Sequence, residues 1–497
     1  MEKTSEKILI VGGGYAGFYT AWKLEKKLRR GEADVTLVDP HGYMTYQPFL
    51  PEVTAGSIEA RHVMVSLRRH LRRTTIIAGH TTSIDHAHRT ATVRTNDGAL
   101  REIGYDTIVV TAGAVTRTFP VPGIEQEAIG LKHVEEAVAI RDQLLTAFDR
   151  AALLPPGLER RRLLTVTVVG GGFTGVEVFG ELLSLATSLL RSYPELGRDD
   201  LSFHLVDAND RILPEVTDEP GRWVVRHLED RGGHVHLGTQ VVSAADGRIM
   251  LSTGESSISE SSSSESSISE SYSNGLLIWA AGNGSNPVVA RNTDLPVDER
   301  GLVRVRADLR VGTDESPVPH AWAAGDNAAV PDLASPVPGA RTVPNAQHAV
   351  RQGKLLAANL VADLRGRKVR PYIHHSLGTV ATLGIGRGIF QYRRLVITGF
   401  LAWLMHRGYH VLAVPTWERK IRVLLVWASA VLFGRDIIPL ATVQRPRAAF
   451  LAGGDPFAGP DGAKADTAKA STAEADGGTT TAGATARPEL SVVRDAN

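Results

Sequence analysis

Apolar and polar positions along the chain alternate in blocks that predict two copies of one strand, turn and helix unit. Residues 8–11 form an apolar run, the glycine-rich segment 12–17 follows, and a helical pattern extends to about Arg30 before a second apolar run at 35–39. Residues 163–207 repeat this order, with a glycine-rich segment at 170–175 and a helix through Leu190. The pattern predicts an α/β fold with two Rossmann-like dinucleotide-binding domains, each built on a parallel sheet.

The remaining apolar segments indicate how the two domains share the chain. Strand patterns that end in small-residue turns occur at 105–113, 276–282 and 322–327, and a helical pattern covers 346–364. Their order indicates that the second domain is inserted in the first. We predict a first domain over 1–120 and 300–385, a second over 121–299, an amphipathic region over 386–447 and a disordered tail over 448–497. The second domain contains a low-complexity Ser/Glu segment, 255–274, which is too polar to form a core.

The first glycine-rich turn has the spacing of a dinucleotide site. In Gly12-x-Gly14-x-x-Gly17 the first glycine permits a tight turn, the second lets the backbone approach a pyrophosphate, and the third lets the helix pack on the strand. The helix N-terminus then favours the phosphates. Asp39, at the end of the next strand, is placed to accept hydrogen bonds from ribose hydroxyls. A turn that serves packing alone is the alternative, which the complete strand, helix and acid pattern disfavours.

The second glycine-rich turn, Gly170-x-Gly172-x-x-Gly175, has the same context, and Asp207 ends its following strand. A carboxylate there accepts ribose hydroxyls and repels a 2′-phosphate, so the sequence favours NAD over NADP. Arg211 is close enough in sequence to leave NADP open. Two complete motifs in one chain allow one dinucleotide to act as donor and the other as a bound redox carrier.

Composition restricts the chemistry further. The chain has 55 basic and 54 acidic residues, which gives no global reason to bind nucleic acid. It has no cysteine, so redox chemistry must come from a bound cofactor rather than from thiols or an iron–sulfur cluster. Neither His86-x-His88 nor His374-His375 is accompanied by a third metal ligand at a spacing typical of metal sites, and we predict no metal site. The N-terminal segment lacks a signal-peptide pattern, which predicts a cytoplasmic protein.

Five motifs follow one another in an order found in a known family of flavoproteins: Gly12-x-Gly14-x-x-Gly17, Thr111-Ala112-Gly113, Gly170-x-Gly172-x-x-Gly175-Val176-Glu177, Trp279-Ala280-Ala281-Gly282 and Ala324-Gly325-Asp326. In this order the chain resembles the pyridine nucleotide-disulfide oxidoreductase-like flavoproteins. Segments 46–56 and 346–353 make it most similar to the type II NADH dehydrogenases, which are NADH:quinone oxidoreductases. The resemblance covers about residues 5–445, and the Ser/Glu segment departs from the short hairpin usual in the family.

The resemblance implies two cofactor sites and two catalytic residues. It assigns FAD to Gly12, Gly14, Ala16, Gly17, Asp39, Ala112, Gly113, Gly325, Asp326, Ala346 and Gln347. It assigns NADH to Gly170, Gly172, Thr174, Gly175, Glu177, Asp207, Ala281 and Gly282. By the same resemblance Glu177 lies near the nicotinamide and the flavin, and Gln347 lines the quinone pocket. From the residues alone, a turn residue at Asp326 and a residue at a helix end at Gln347 are equally good interpretations. The alternative for Glu177 is an acid favoured by the helix dipole.

The expected activity is transfer of hydride from NADH to FAD and then of two electrons to a membrane quinone, without proton pumping. Because the chain lacks the redox thiols of disulfide reductases and sulfide:quinone oxidoreductases, electrons must leave the flavin directly for an external acceptor. Two alternatives stay open. One is a soluble reductase of an iron–sulfur electron carrier, and the other is a flavin- and NADH-binding redox sensor with little turnover.

The region from Arg387 to Arg435 is strongly basic, with eight Lys or Arg residues against one acid, Glu418. It contains the apolar stretches 395–405 and 423–434, which are bounded by arginines and accompanied by three tryptophans: Arg394, Arg407, Arg422, Arg435, Trp403, Trp417 and Trp427. Both stretches are too short to span a bilayer. We therefore predict an amphipathic helix pair in the headgroup layer on the cytoplasmic face of the cell membrane, a peripheral, monotopic arrangement. Packing of these helices against the protein, or in a homodimer interface, is the alternative.

Overall fold

The structure is a computed structural model that describes residues 5–253, 268–374, 376 and 378–439. The strands of the first part of the chain are β1 (Glu6–Val11), β2 (Ala33–Asp39), β3 (Tyr43–Thr45), β4 (Met64–Ser66), β5 (Thr75–Asp85), β6 (Thr90–Thr95), β7 (Leu100–Gly104), β8 (Thr107–Val110) and β9 (Ala114–Thr116). Those of the middle part are β10 (Ala128–Gly130), β11 (Thr165–Val169), β12 (Ser202–Val206), β13 (Gly233–His236), β14 (Thr239–Ser243), β15 (Arg248–Thr253), β16 (Ile268–Ser273), β17 (Leu276–Trp279) and β18 (Asn283–Ser285).

The last part of the described chain contains the strands β19 (Val303–Arg304), β20 (Arg310–Gly312), β21 (Pro317–Ala323), β22 (Ala328–Ala329), β23 (Thr379–Thr382), β24 (Gly388–Tyr392) and β25 (Leu395–Thr398). The helices are α1 (Tyr15–Lys27), α2 (Leu50–Thr54), α3 (Leu67–His70), α4 (Ile124–Glu127), α5 (Val134–Ala152), α6 (Leu158–Leu163), α7 (Phe173–Leu189), α8 (Asp218–Glu229), α9 (Pro287–Ala290), α10 (Ala346–Leu364), α11 (Phe400–Ala413) and α12 (Trp417–Phe433).

The larger sheet has eight strands in the order β20-β21-β8-β1-β2-β5-β6-β7. Its centre is parallel, since β1 pairs with β2 and β8, and β8 pairs with β21. The last four residues of β1 are at most 3% exposed, which explains why this strand is a continuous apolar run rather than an alternating one. α1 follows β1 directly and packs along α10. The carboxyl ends of β1, β2, β8 and β21 therefore meet beside the first turn of α1.

The second sheet has five parallel strands in the order β10-β17-β11-β12-β13. All five lie in the chain between β8 and β20 of the larger sheet, so the prediction that one dinucleotide-binding unit is inserted in the other is confirmed. A three-stranded antiparallel sheet, β14-β15-β16, accompanies it. Val241, Ile249 and Leu251 of this sheet belong to one buried cluster with Val206 and Leu277 of the parallel sheet.

Two expectations from the sequence are wrong in part. The Ser/Glu segment was expected to contribute to no core, yet its last residues form β16 and Tyr272 packs against the buried cluster, because pairing with β15 satisfies their backbone. The apolar stretch 395–405 was expected to be helical throughout, yet β25 occupies its start and Gly399, at φ 76°, separates the strand from α11. Residues 254–267, His375 and the predicted tail, 448–497, lie outside the described residues.

α11 buries several polar residues, and both C-terminal helices expose large apolar ones. In α11 the buried side chains include His406, Arg407 and His410, whereas the exposed ones are mostly large and apolar. The exposed apolar residues of α11 and α12, called here the outer apolar face, are Phe400, Leu401, Leu404, Leu412, Trp417, Ile421, Leu424, Leu425, Leu432 and Phe433. A helix buried in a water-soluble protein normally has the reverse pattern. None of the helices in the part of the chain that the structure describes has the length and apolar character needed to cross a bilayer.

Some residues predicted to flank these helices at a membrane surface lie inside the protein instead. Trp403 and Trp427 are 8% and 7% exposed, and Trp417 alone of the three tryptophans is well exposed. Arg407 lies between the rings of Trp403 and Trp427, 4.2 and 4.4 Å from their centroids. The side chain of Arg435 is 6% exposed and lies 3.5 Å from the Glu181 carboxylate. The two arginines can be buried because each pairs with a carboxylate, and the rings of Trp403 and Trp427 pack against Arg407.

Candidate functional site

The first glycine-rich turn connects β1 to α1 and leaves open space above the helix N-terminus. Gly12 has φ 95°, and a Cβ there would collide with the backbone of Thr111. A Cβ on Gly17 would collide with the Gly12 carbonyl, so helix and strand touch at this point. At Gly14, by contrast, a Cβ would meet no atom within 4 Å. The turn thus offers its backbone to a group outside it, as a pyrophosphate site requires.

Other predicted residues of the first site surround this turn. Asp39, at the end of β2, accepts hydrogen bonds from the backbone N–H groups of Gly13 at 2.7 Å and His41 at 2.8 Å. A Cβ added to Gly325 would lie 3.2 Å from the Cβ of Ala16, so the turn after β21 touches α1. The carboxyl ends of these strands form a single edge, where ligands of open α/β sheets bind.

Buried amides hold the turn after β21 in place. The side chain of Asn327 accepts from the Gly113 N–H at 3.1 Å and donates to the Val110 carbonyl at 3.1 Å. The Gly325 N–H donates to the side chain of Gln352 at 2.8 Å. Burial raises the pKa of Asp326, between these two anchors, and the nearby Lys132 ammonium opposes that rise. Asn327 and Gln352 were not predicted as site residues, since buried amides have no sequence signature.

The second glycine-rich turn, between β11 and α7, repeats the geometry of the first. A Cβ on Gly175 would collide with the Gly170 carbonyl, and one on Gly172 would meet nothing within 4 Å. The Asp207 carboxylate accepts hydrogen bonds from the N–H groups of Gly171 and Asn209. Arg211, which left NADP open in the sequence, is paired with Asp218 at 2.7 Å. It also donates to the Val216 carbonyl, so its guanidinium has two partners within the segment 211–218.

A cavity of about 410 Å³ brings the two halves of the predicted site together. The predicted residues that line it are Gly172, Thr174, Glu177, Gly282, Asp326, Ala346 and Gln347. Those that do not line it surround the two glycine-rich turns or the strand ends beside them: Gly12, Gly14, Ala16, Gly17, Asp39, Ala112, Gly113, Gly170, Gly175, Asp207, Ala281 and Gly325. Tyr409 and His410 of α11 complete the wall. The cavity therefore lies where the second turn, Asp326, the start of α10 and α11 meet.

A larger cavity, of about 550 Å³, lies beside the turn after β21 and shares Asp326 with the first. Arg300, Arg304 and Arg341 line it, and Arg341 is ion-paired with Asp298. Neither glycine-rich turn reaches it. The smaller cavity, by contrast, is lined by the second glycine-rich turn, by Glu177 and by the start of α10.

Glu177, in the second turn of α7, lines the cavity together with two other acids, Glu215 and Asp326, and it has two close partners. Its Oε1 accepts from the Thr382 N–H at 3.1 Å and lies 3.2 Å from Nε2 of His406. Burial lowers the pKa of His406, but the carboxylates of Glu177, Glu52 and Glu181 outweigh burial and raise that pKa above its ordinary value. The His406 imidazole thus forms an ion pair with the Glu177 carboxylate, and the His406 side chain is fully buried.

His410 lies one helical turn after His406 and reaches the cavity itself. Its Nδ1 is 2.9 Å from the hydroxyl of Tyr46. Burial holds the pKa of His410 well below its usual value, and the His406 charge lowers it further, so the ring is neutral. Because Tyr46 occupies Nδ1, Nε2 is the nitrogen left for a bound molecule.

A buried ion pair joins α11 to the first half of the chain beneath this wall. Glu52 of α2 is 1% exposed, and its Oε2 lies 3.1 Å from Arg407 and 3.0 Å from Nε1 of Trp427. Burial raises the pKa of Glu52. His406, Arg407 and His410 were missed as functional residues by the sequence analysis, although a polar stripe at helical spacing inside an apolar segment was the available signal.

The residues around the first turn fit a flavin dinucleotide. Besides the open approach at Gly14, the hydroxyl of Tyr15 is buried beside the Gln47 backbone N–H, and its own proton has no acceptor among the described residues. Burial raises the pKa of Tyr15 well above its usual value, so the hydroxyl stays a donor. A buried donor without a partner costs about 1 to 3 kcal/mol, and a polar group of a bound cofactor would satisfy it.

Comparisons with known proteins agree with this geometry. The family model of the pyridine nucleotide-disulphide oxidoreductases matches residues 6–353. The chain is 27% identical over 439 residues to a type II NADH:quinone oxidoreductase, Ndh, of Mycobacterium tuberculosis, with 86% of this chain and 89% of the relative covered. It is 26% identical over 441 residues to a probable NADH dehydrogenase of Dictyostelium discoideum, covering 87% and 91% of the two chains.

Among solved structures, NDH2 of Plasmodium falciparum in complex with NADH superimposes with a TM-score of 0.77 at 19% identity, covering 87% of this chain and all of that one. At that identity the likeness concerns the fold alone. The family resemblance inferred from the sequence motifs is confirmed by the family model and by the relatives. This chain belongs to the pyridine nucleotide-disulphide oxidoreductase family.

Proposed function

We propose that the protein is an NADH:quinone oxidoreductase of the type II kind, which converts NADH, a quinone and a proton to NAD⁺ and the quinol without pumping protons. The observation that carries the proposal is the cavity of about 410 Å³, which is lined by the second glycine-rich turn, by Asp326 and the start of α10, and by α11. Its wall presents Glu177, Gln347 and His410 to the same space. Donor, carrier and acceptor can therefore meet in one enclosed place.

The residues around the first turn would hold FAD: Gly12, Gly14, Ala16, Gly17, Asp39, Ala112, Gly113, Gly325, Asp326, Ala346 and Gln347. When bound, FAD supplies the two-electron chemistry that the side chains of this chain lack. Gly14 offers its backbone to the pyrophosphate, and Asp39 accepts ribose hydroxyls. α10 begins at Ala346, at the cavity wall, and the positive end of its dipole favours negative charge there.

The residues around the second turn would bind NADH: Gly170, Gly172, Thr174, Gly175, Glu177, Asp207, Ala281 and Gly282. Asp207 accepts the ribose hydroxyls, and a 2′-phosphate at the same place would meet its negative charge. Engagement of Arg211 by Asp218 removes the cation that could accept that phosphate. The site thus prefers NADH over NADPH.

Glu177 and His406 would supply a proton to the cavity. Reduction of a quinone to its quinol consumes two protons, one of which NADH does not bring. Glu177 lines the cavity, and His406 Nε2 lies 3.2 Å from its Oε1. The Thr382 N–H holds the Glu177 carboxylate in position, and a proton passing from His406 to the cavity would pass by this carboxylate.

Gln347 and His410 would position the quinone. An amide N–H and a neutral imidazole N–H are both donors suited to a quinone carbonyl oxygen. Nδ1 of His410 lies 2.9 Å from the Tyr46 hydroxyl, and in the tautomer in which Tyr46 donates to Nδ1 the ring proton is on Nε2. The sequence contains no cysteine to relay electrons as a thiol, so the acceptor must be an external molecule that enters this cavity.

We further propose that the outer apolar face lies in the headgroup layer of the cell membrane, on its cytoplasmic side. Ten large apolar residues of α11 and α12 make up this face, and Arg419, Lys420 and Arg422 lie close to it in α12. Basic residues beside an apolar face suit an anionic leaflet. A homodimer built on the same face is the competing arrangement.

Anaerobic stopped-flow absorbance tests the catalytic proposal. We expect NADH to bleach the flavin band and a short-chain quinone to restore it. Glu177→Gln should keep the bleaching by NADH and slow the return with quinone about 100-fold, which is within the range for loss of a general acid. Failure of quinone to restore the band in the unaltered protein would refute the acceptor, and absence of bleaching would refute the NADH site.

Sedimentation with anionic vesicles tests the membrane proposal. The pair Leu404→Glu and Leu425→Glu places charge on the outer apolar face, where the side chains are 50% and 64% exposed. We expect this variant to lose vesicle binding and to keep NADH oxidation. Leu100→Glu, at a residue 63% exposed in β7, is the matched control and should bind like the unaltered protein. If the double variant still binds vesicles, or changes only from dimer to monomer, the face is not a membrane surface.

A further inference from the structure

Two imidazoles and a carboxylate meet between the parallel sheet of the inserted unit and the antiparallel sheet beside it. His204 lies in β12, His236 ends β13, and Glu270 lies in β16. One ligand atom from each residue lies within 4.8 Å of the other two. The buried cluster between these sheets is otherwise made of residues such as Val206 and Leu251. Three polar side chains at an apolar interface need a reason to be there.

The distances within this cluster suit a small cation. Nδ1 of His204 lies 3.0 Å from Nε2 of His236, and Nδ1 of His236 lies 3.6 Å from the Glu270 carboxylate. Tetrahedral ligands at about 2.0 to 2.1 Å from zinc are about 3.3 Å apart. His236 makes these two contacts with different ring nitrogens, but one ligand atom from each of the three residues lies within 4.8 Å of the other two. Side-chain rotations that close these separations by about 1.5 Å would therefore surround one ion.

Neighbouring groups orient the rings as they do in metal sites. Ser202 Oγ lies 2.8 Å from Nε2 of His204, which leaves Nδ1 for the cluster. A partner on the second ring nitrogen is the usual device that fixes a ligating histidine. The ring of Tyr272 stacks on His204 at 3.9 Å between centroids. Parallel pairing of β12 with β13 sets the positions of both histidines.

We propose that His204, His236 and Glu270 bind one divalent transition metal ion. Two imidazoles with one carboxylate is a donor set that favours Zn²⁺, whereas Ca²⁺ and Mg²⁺ select oxygen ligands. The His204 side chain is buried, but that of Glu270 is 47% exposed, so an ion can enter from solvent and keep a water as fourth ligand. The site lies close to Asp207, whose N–H donates to the His236 carbonyl at 2.9 Å.

The test is zinc binding by the full-length, untagged holoprotein. The protein is stripped with a chelator, equilibrated with Zn²⁺ and analysed for metal content, and its affinity is measured by competition with a chromophoric chelator. We expect about one zinc per chain. Glu270→Gln and His236→Gln should weaken binding at least about tenfold, the range seen when a metal site loses a supporting group. Glu270 is exposed, so its variant tests binding without endangering the fold.

His234→Gln is the matched control. His234 is exposed on β13 and its ring stacks on His204 at 5.0 Å, yet it is not part of the cluster. Its variant should bind zinc like the unaltered protein. Flavin content and the thermal unfolding midpoint, measured without metal, establish that each variant is folded. The proposal is overturned if the unaltered protein binds no zinc, or if Glu270→Gln and His236→Gln bind zinc as tightly as the unaltered protein. It is also overturned if His234→Gln weakens zinc binding as much as those two variants do.

Discussion

The buried pair of Glu52 and Arg407 gives the most direct test of what holds the C-terminal helices to the rest of the protein. Replacing Arg407 by Met keeps an apolar chain between Trp403 and Trp427 but leaves the Glu52 carboxylate without its cation. Glu52 is 1% exposed, and its Oε1 already has no hydrogen-bond partner among the described residues. The remaining partner of Oε2 is Nε1 of Trp427, which is neutral and can offset little of the charge.

The expected loss follows from two limits. Removing one partner of a buried ion pair costs about 3 to 5 kcal/mol. Glu52 can escape part of that cost by taking up a proton. Protonating an ordinary carboxyl costs about 1.36 kcal/mol for each pH unit above its pKa, which amounts to about 3.7 kcal/mol at pH 7. Burial already raises the pKa of Glu52, so protonation is cheaper than that. We expect the Arg407→Met variant to lose about 3 kcal/mol at pH 7 and less at pH 5.

The assay is a double-mutant cycle on the holoprotein, with thermal unfolding followed by flavin fluorescence. A loss of about 3 kcal/mol corresponds to a fall of about 6 to 12 °C in the unfolding midpoint for a domain of 150 to 250 residues. The combined variant Glu52→Gln and Arg407→Met removes both charges and should recover most of the loss. If Arg407→Met unfolds at the temperature of the unaltered protein, or if the combined variant is no more stable than the single one, the pair does not carry the docking of α11.

Three further outcomes follow from the site. Replacing Asp207 by Ser should lower kcat/KM for NADH by about 10- to 150-fold, as expected for loss of a charged hydrogen-bond acceptor, and should raise the NADPH to NADH ratio; an unchanged ratio would contradict the placement of the ribose. The His406→Gln variant tests linkage: because the folded pKa of His406 is raised, its stabilisation is complete below about pH 6.5 and is lost as the pH rises through the folded pKa. The midpoint difference from the unaltered protein should therefore shrink from pH 6 to pH 9, and a constant difference would refute the charged pair. Replacing His410 by Phe should slow the return of the flavin band with quinone about tenfold and leave bleaching by NADH unchanged, whereas equal slowing of both steps would place His410 elsewhere.

Local signals in the sequence were enough to predict the two nucleotide-binding turns. Glycine spacing, the apolar strand before each turn and the acid after each unit all lie within about 40 residues of one another, and the fold class predicted from them is confirmed. The confirmed family assignment rests on the same motifs. The residue roles within the site remain predictions, since geometry alone does not assign a chemical step.

Contacts between distant parts of the chain were not predictable in this way. Glu52 and Arg407 are 355 positions apart, and neither has a local pattern that names the other. An arginine beside an apolar stretch is typical of a membrane-surface helix, so the sequence predicts Arg407 on the lipid side. In the structure Arg407 pairs with the Glu52 carboxylate instead. The cluster of His204, His236 and Glu270 was missed for the same reason, because three separate strands contribute one residue each.

The two faces of α11 allow solubility and reactivity to be engineered independently. His406 and His410 point toward the cavity wall, while Leu401, Leu404 and Leu412 point outward. Editing the outward positions to polar residues should give a protein that is handled without detergent and keeps its acceptor site. Changes to the inward positions, in turn, should alter the choice of acceptor and leave vesicle binding unchanged. One helix of 14 residues thus carries two properties that can be selected separately.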